Sequence, residues 1–141
     1  MRPCPVAAKS RRRSPRMSAD AKRVAAAETA LEVEMPTKRL SLEEAQRFVD
    51  QVAHAEDLDP PLVVYRKVKA RVDGLAVGDA HAIVVTSTNP NELTLLHELA
   101  HFIGSMDHGP EFQEVYVGLV GRFVSRECAI RLQTSLTAKV Q

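Results

Sequence analysis

The feature that most constrains this chain is the pentad His97-Glu98-Leu99-Ala100-His101, set in a segment with helical signals at both ends. Residues on a helix advance by about 100° each, so side chains four apart stand one turn above each other and two imidazoles at that spacing can converge on one ion. Glu98, beside His97, can reach a water on the same ion without becoming a ligand. Asn89-Pro90-Asn91-Glu92 supplies an N-cap residue, Pro at the first helical position and Glu two residues later, which predicts a helix from there to about Ile103, with Gly104 as its stop. The fold must bring a further ligand to this helix.

Neutral imidazoles suit zinc, and a catalytic Zn2+ takes three protein ligands while leaving a fourth position to water. Two residues compete for the third place. His108 follows the loop Gly104-Ser105-Met106-Asp107, which can turn the backbone so that His108 faces the helix. Asp107 is the rival, since His97-Glu98-x-x-His101-x-x-Gly104-x-x-Asp107 has the metzincin spacing with Asp where a third His often stands. The downstream Met-turn of a metzincin is missing, however, with Met only at 1, 17, 35 and 106. His108 is therefore preferred. His54, on a polar helix, and His81, beside the Gly78-Asp79 turn, lack such a setting and read as surface residues.

A chain of 141 residues is the size of one domain, and 45% apolar with 26% charged residues is the balance of a soluble globular protein. Without Trp, the core must rest on aliphatic residues, with Phe48, Phe102, Phe112 and Phe123 as its large pieces. Cys4 and Cys128, at opposite ends, offer neither a disulfide framework nor a Cys-based zinc site. No stretch reaches the roughly 18 apolar residues of a membrane span, and no apolar signal segment opens the chain. The expectation is a cytoplasmic monomer.

The net charge of +1 hides an asymmetry. Arg2, Lys9, Arg11, Arg12, Arg13 and Arg16 precede any acid; without those six, 13 basic residues face 18 acidic ones, a balance of −5. Residues 1–18 read as a basic, disordered leader, because Pro, Ser and Arg bury too little surface to fold. A nucleic-acid or membrane-surface arm is the alternative. Met17 would also serve as a start. Residues 19–141 form the expected domain.

Within it, residues 19–31 are rich in helix formers and predict a first helix, and Pro36 stops the chain from continuing it. Ser41-Leu42-Glu43-Glu44 is a capping box, predicting a helix over about 42–57 with Ala45, Phe48, Val49 and Val52 inward. Alternation predicts a strand over Val64–Val72 with Lys67, Lys69 and Arg71 on its wet face, a stripe better read as solvated than as phosphate-binding. Asp73-Gly74 and Gly78-Asp79 read as turns, and Ala82–Thr86 as a second strand pairing with the first. Gly109-Pro110 opens a helix with the stripe Phe112, Val115, Tyr116, Leu119, Val120, Phe123 and Val124; Ser125 punctuates it, and a last helix runs to about Leu136. The class is α+β.

The segment Leu95-Leu96-His97-Glu98-Leu99-Ala100-His101-Phe102, followed by His108-Gly109-Pro110-Glu111-Phe112, resembles a family of small bacterial and phage-encoded metallohydrolases. It is similar, more distantly, to the SprT-like zinc peptidases, whose HExxH is followed by a His-Gly-x-x-Phe element. The resemblance covers about residues 20–137. It implies a minimal zincin-like domain with His97, His101 and His108 as ligands and Glu98 as the catalytic carboxylate. The expected reaction is peptide hydrolysis by a zinc-activated water, the peptide or protein substrate adding to the edge of strand Ala82–Thr86. Tyr116 could steady an oxyanion, although its place in the apolar stripe favours the core. Two other readings compete: a non-catalytic, zinc-stabilised interaction module, and a protease that finds nucleic acid through its basic leader.

Overall fold

Each helix begins where a side chain or a proline can serve its first turn. In this computed structural model, which describes residues 17–67 and 73–138, Ser18 caps α1 (Ala19–Glu34) by accepting from the Ala21 amide. Ser41 and Glu44 form the expected reciprocal box at the start of α2 (Leu42–Ala55). Pro110 opens α4 (Pro110–Phe123), and Ser125 caps α5 (Arg126–Thr137). Between them lies α3 (Glu92–Ile103), which starts slightly later than its sequence signals suggest. Asn91 is its cap, accepting from the Leu93 amide at 2.7 Å. Asn89-Pro90 stays outside because the Pro90 carbonyl accepts from the Leu40 amide and Asn91 bridges Arg39, which holds this segment extended.

The sheet departs further from expectation. Its strands are β1 (Leu62–Tyr65), β2 (Gly74–Val77) and β3 (Ala82–Val85), in the order β1-β3-β2, with β1 parallel and β2 antiparallel to β3. β1 therefore starts earlier than predicted, and Arg66 and Lys67 come after it outside any strand. Val68 to Val72, with Lys69 and Arg71, lie outside the described residues. Asp73-Gly74 is not a turn but the entry to β2, Gly74 pairing with Val85. Gly78-Asp79 does turn, and leads into β3. With a neighbour on each side, β3 is the central strand, so the expected docking edge at Ala82–Thr86 does not exist. Among the described residues the edges belong to β1 and β2. The Gln46 side chain serves the β1 end by accepting from the Val63 amide and donating to the Pro61 carbonyl.

The described residues thus make an α+β fold of five helices and one mixed three-stranded sheet. α3 lies at its centre, packed on α2, α4, β2 and β3. That explains why it is apolar almost all round, with Leu93, Leu95, Leu96, Leu99 and Ala100 buried. Ile83 and Val85 meet it from the sheet and Phe112, Tyr116 and Leu119 from α4, while Val24, Ala27 and Leu31 line the inner face of α1, which packs on α5. Of the four phenylalanines only Phe112 is fully buried; Phe48, Phe102 and Phe123 lie at the margin of the core. No helix among the described residues is long and apolar enough to cross a membrane.

Candidate metal centre

The helical spacing does what it promises. His97 and His101 share one face of α3, and the loop after Gly104 returns His108 to them, so that one ligand nitrogen from each lies within 4.8 Å of the others. These three histidines are close enough to bind a metal ion. Gly104 ends α3 at φ −98, not in the left-handed region, and its lack of a side chain serves proximity: a Cβ there would stand 3.1 Å from Val115 Cγ2 and 3.2 Å from the Ala100 carbonyl.

The donor set fits a cation. His101 Nδ1 lies 2.8 Å from the Ser105 carbonyl, an oxygen that only accepts, so Nδ1 carries the proton and Nε2 presents its lone pair. His97 Nδ1 lies 2.5 Å from Glu28 Oε2, which fixes the same tautomer. The Nε2 atoms of His97 and His108 then face each other at 3.2 Å, close to the roughly 3.3 Å edge of a tetrahedron with metal–nitrogen bonds of about 2.0–2.1 Å. Either a proton on His108 Nε2 or a cation shared by the two nitrogens satisfies that approach. Phe112 stacks on His101 at 4.4 Å between ring centroids and fixes its plane.

Burial pushes His101 down to about 4, and burial together with the neighbouring His97 lowers His108. For His97 burial acts in the same sense, but the Glu28 carboxylate, with Glu98 and Asp73 behind it, outweighs burial and raises the pKa. Glu98 is 6% exposed, and its Oε2 stands 4.0 Å from His97 Nε2, outside the three-histidine cluster. Burial pushes it up to about 7, helped by Glu28 and Asp73 and opposed by His97 and a hydrogen bond from the Ala76 backbone on β2.

The rival ligand has other work. Asp107 is exposed and accepts from the Gly109 amide at 3.0 Å, a bond that is the main cause of its lowered pKa. His54 is exposed on α2, as expected. His81 is half-buried rather than a plain surface residue: it takes φ +50, its Nε2 lies 2.7 Å from the Asp59 carbonyl, and its ring meets Phe102 edge-on. Tyr116 is fully buried, and its hydroxyl donates to Glu28 Oε2 at 2.6 Å, so it belongs to the core with its polar end engaged.

Glu28 was not legible as a site residue from motif or spacing. One signal could have found it: Val24, Ala27, Glu28 and Leu31 form an i, i+3, i+4, i+7 stripe, and Glu28 is its single polar member. From the histidines and Glu98 a cleft of about 680 Å³ runs between α1 and β2 as far as Arg39. The chain matches no protein-family model, no curated protein and no solved structure, so the meaning of this centre rests on its own residues.

Proposed function

We propose that the chain is a zinc-dependent metallohydrolase of minimal zincin type, acting as a peptidase on peptide or protein substrates. The observation that carries this reading is the position of Glu98, buried beside His97, outside the ligand cluster and on the wall of the cleft. A bound Zn2+ would supply Lewis acidity, polarising a carbonyl and acidifying water. Glu98 takes the proton of the attacking water and returns it to the leaving nitrogen. His97, His101 and His108 would hold the ion, and hydrogen bonds from the Nδ1 atoms of the helical pair leave both Nε2 atoms free to bind it.

The peptide adds to β2, the edge strand that walls the cleft through Gly74 and Leu75. Glu98 also weighs against a purely structural zinc module, which would close the fourth position with another ligand and needs no buried carboxylate there. The nucleic-acid arm falls on residues 1–16, outside the described residues; a salt titration of DNA binding with and without them tests it. For the peptidase itself, Glu98→Gln should keep zinc and fold and lose on the order of 100 to 10,000-fold in peptide hydrolysis. Turnover by the Gln variant at the wild-type rate would remove Glu98 as the base and leave the structural module as the better reading.

A further inference from the structure

We propose that Glu28 is a positioning residue for the metal centre and that it latches helix α1 to it. This rests on the three-histidine site as a metal site. Glu28 stands 69 positions before His97 in sequence, yet its Oε2 receives both His97 Nδ1–H and the Tyr116 hydroxyl, at 2.5 and 2.6 Å. Its side chain is 25% exposed and lies on the inner stripe of α1, where an apolar residue would pack without loss of hydration. No Lys or Arg among the described residues pairs with it. Its partners are a candidate ligand and a buried tyrosine.

The arrangement has two consequences. A carboxylate on Nδ1 of a ligating histidine fixes the tautomer and ring orientation and raises the basicity of Nε2. Tyr116 in turn fixes the carboxylate, because its hydroxyl donates to the same oxygen and its ring lies 5.3 Å from that of His97. The second consequence is linkage. Metal binding that depends on Glu28 must favour the state in which α1 is docked, and docking of α1 must favour metal binding to the same degree. α1 also meets the start of α3 through Glu32, which accepts from the Asn91 amide group at the far end of the cleft. That contact involves no histidine and gives no such linkage.

The test uses the full chain with Zn2+ and Co2+ as probes. Chelator competition should show zinc bound about 10 to 100-fold more weakly by Glu28→Ala than by wild type. Glu28→Gln, whose carbonyl oxygen can still accept from His97, should recover part of that loss, and the visible Co2+ spectrum should change in the Ala variant. Adding zinc should slow hydrogen exchange of α1 amides in the wild type and not in Glu28→Ala. Wild-type affinity, Co2+ spectrum and zinc-dependent protection in Glu28→Ala would overturn the proposal. If Glu28→Ala is unfolded without metal, the Gln variant decides: a wild-type Co2+ spectrum with unchanged zinc affinity counts against the latch, and weakened affinity with a native circular-dichroism spectrum supports it. A wild-type chain that binds neither ion refutes the metal site itself, and is distinguished by failing before any variant is compared.

Discussion

Gly74 approaches Glu98 so closely that a Cβ on the glycine would stand 3.3 Å from Glu98 Cγ and 2.9 Å from Thr94 Cγ2. Strand β2 and helix α3 touch here through backbone on one side and a carboxylate-bearing side chain on the other. Gly74→Ala must therefore displace β2 or push back the Thr94 methyl and, by less, Glu98. The expected cost is about 1–3 kcal/mol of stability from overpacking, with a loss of peptide hydrolysis and unchanged zinc content. Chemical denaturation and metal analysis of the purified variant check it; a variant as stable and as active as wild type would mean that the strand stands further off.

The burial of Glu98 makes a prediction about pH. In the metal-free chain its folded pKa is pushed up to about 7 from an ordinary 4.5. Between those values the folded state keeps a proton that the unfolded state has released, so stability falls as pH rises through the window. Glu98→Gln lacks that proton, whereas His97 and His101 titrate in both proteins. Melting temperatures measured in chelator should show wild type losing ground to the Gln variant from pH 4.5 to about 7. Parallel curves would mean that Glu98 is solvated.

Leu99 is fully buried on α3 and belongs neither to the histidine cluster nor to the cleft wall. Leu99→Ala should cost about 2–5 kcal/mol through the cavity it leaves. If zinc binds the folded state preferentially, it should offset part of that loss, increasingly with its concentration. Thermal melts at graded zinc concentrations measure both effects.

The parts of this protein that were legible in the sequence are those governed by local chemistry. The Ser41–Glu44 box, the His97–His101 spacing and Pro110 at a helix start each depend on a few consecutive residues, and each appears as expected. What escaped depends on tertiary contact. Asp73-Gly74 has the composition of a turn, but Gly74 is needed for the approach of β2 to Thr94 and Glu98, so it enters a strand. The central place of β3 results from that missed strand. Glu28 escaped because the meaning of a carboxylate on an alanine-rich helix depends on which histidine lies opposite it, 69 residues away. The choice of third ligand lay between: His108 does come close to His97 and His101, while Asp107 Oδ1 accepts from the Gly109 amide.

That choice also gives the account its most direct measurement: zinc content per chain, by elemental analysis, of wild type, His97→Ala, His101→Ala, His108→Ala and Asp107→Ala purified alike. Two helical imidazoles and a third from the loop after them lie close enough together to bind a metal ion. Wild type and Asp107→Ala should carry about one zinc per chain, and each histidine variant should carry none or nearly none. A wild-type chain without metal, and without a zinc-induced rise in melting temperature, would contradict the metal centre; zinc retained by His108→Ala but lost by Asp107→Ala would give the third ligand to Asp107 instead.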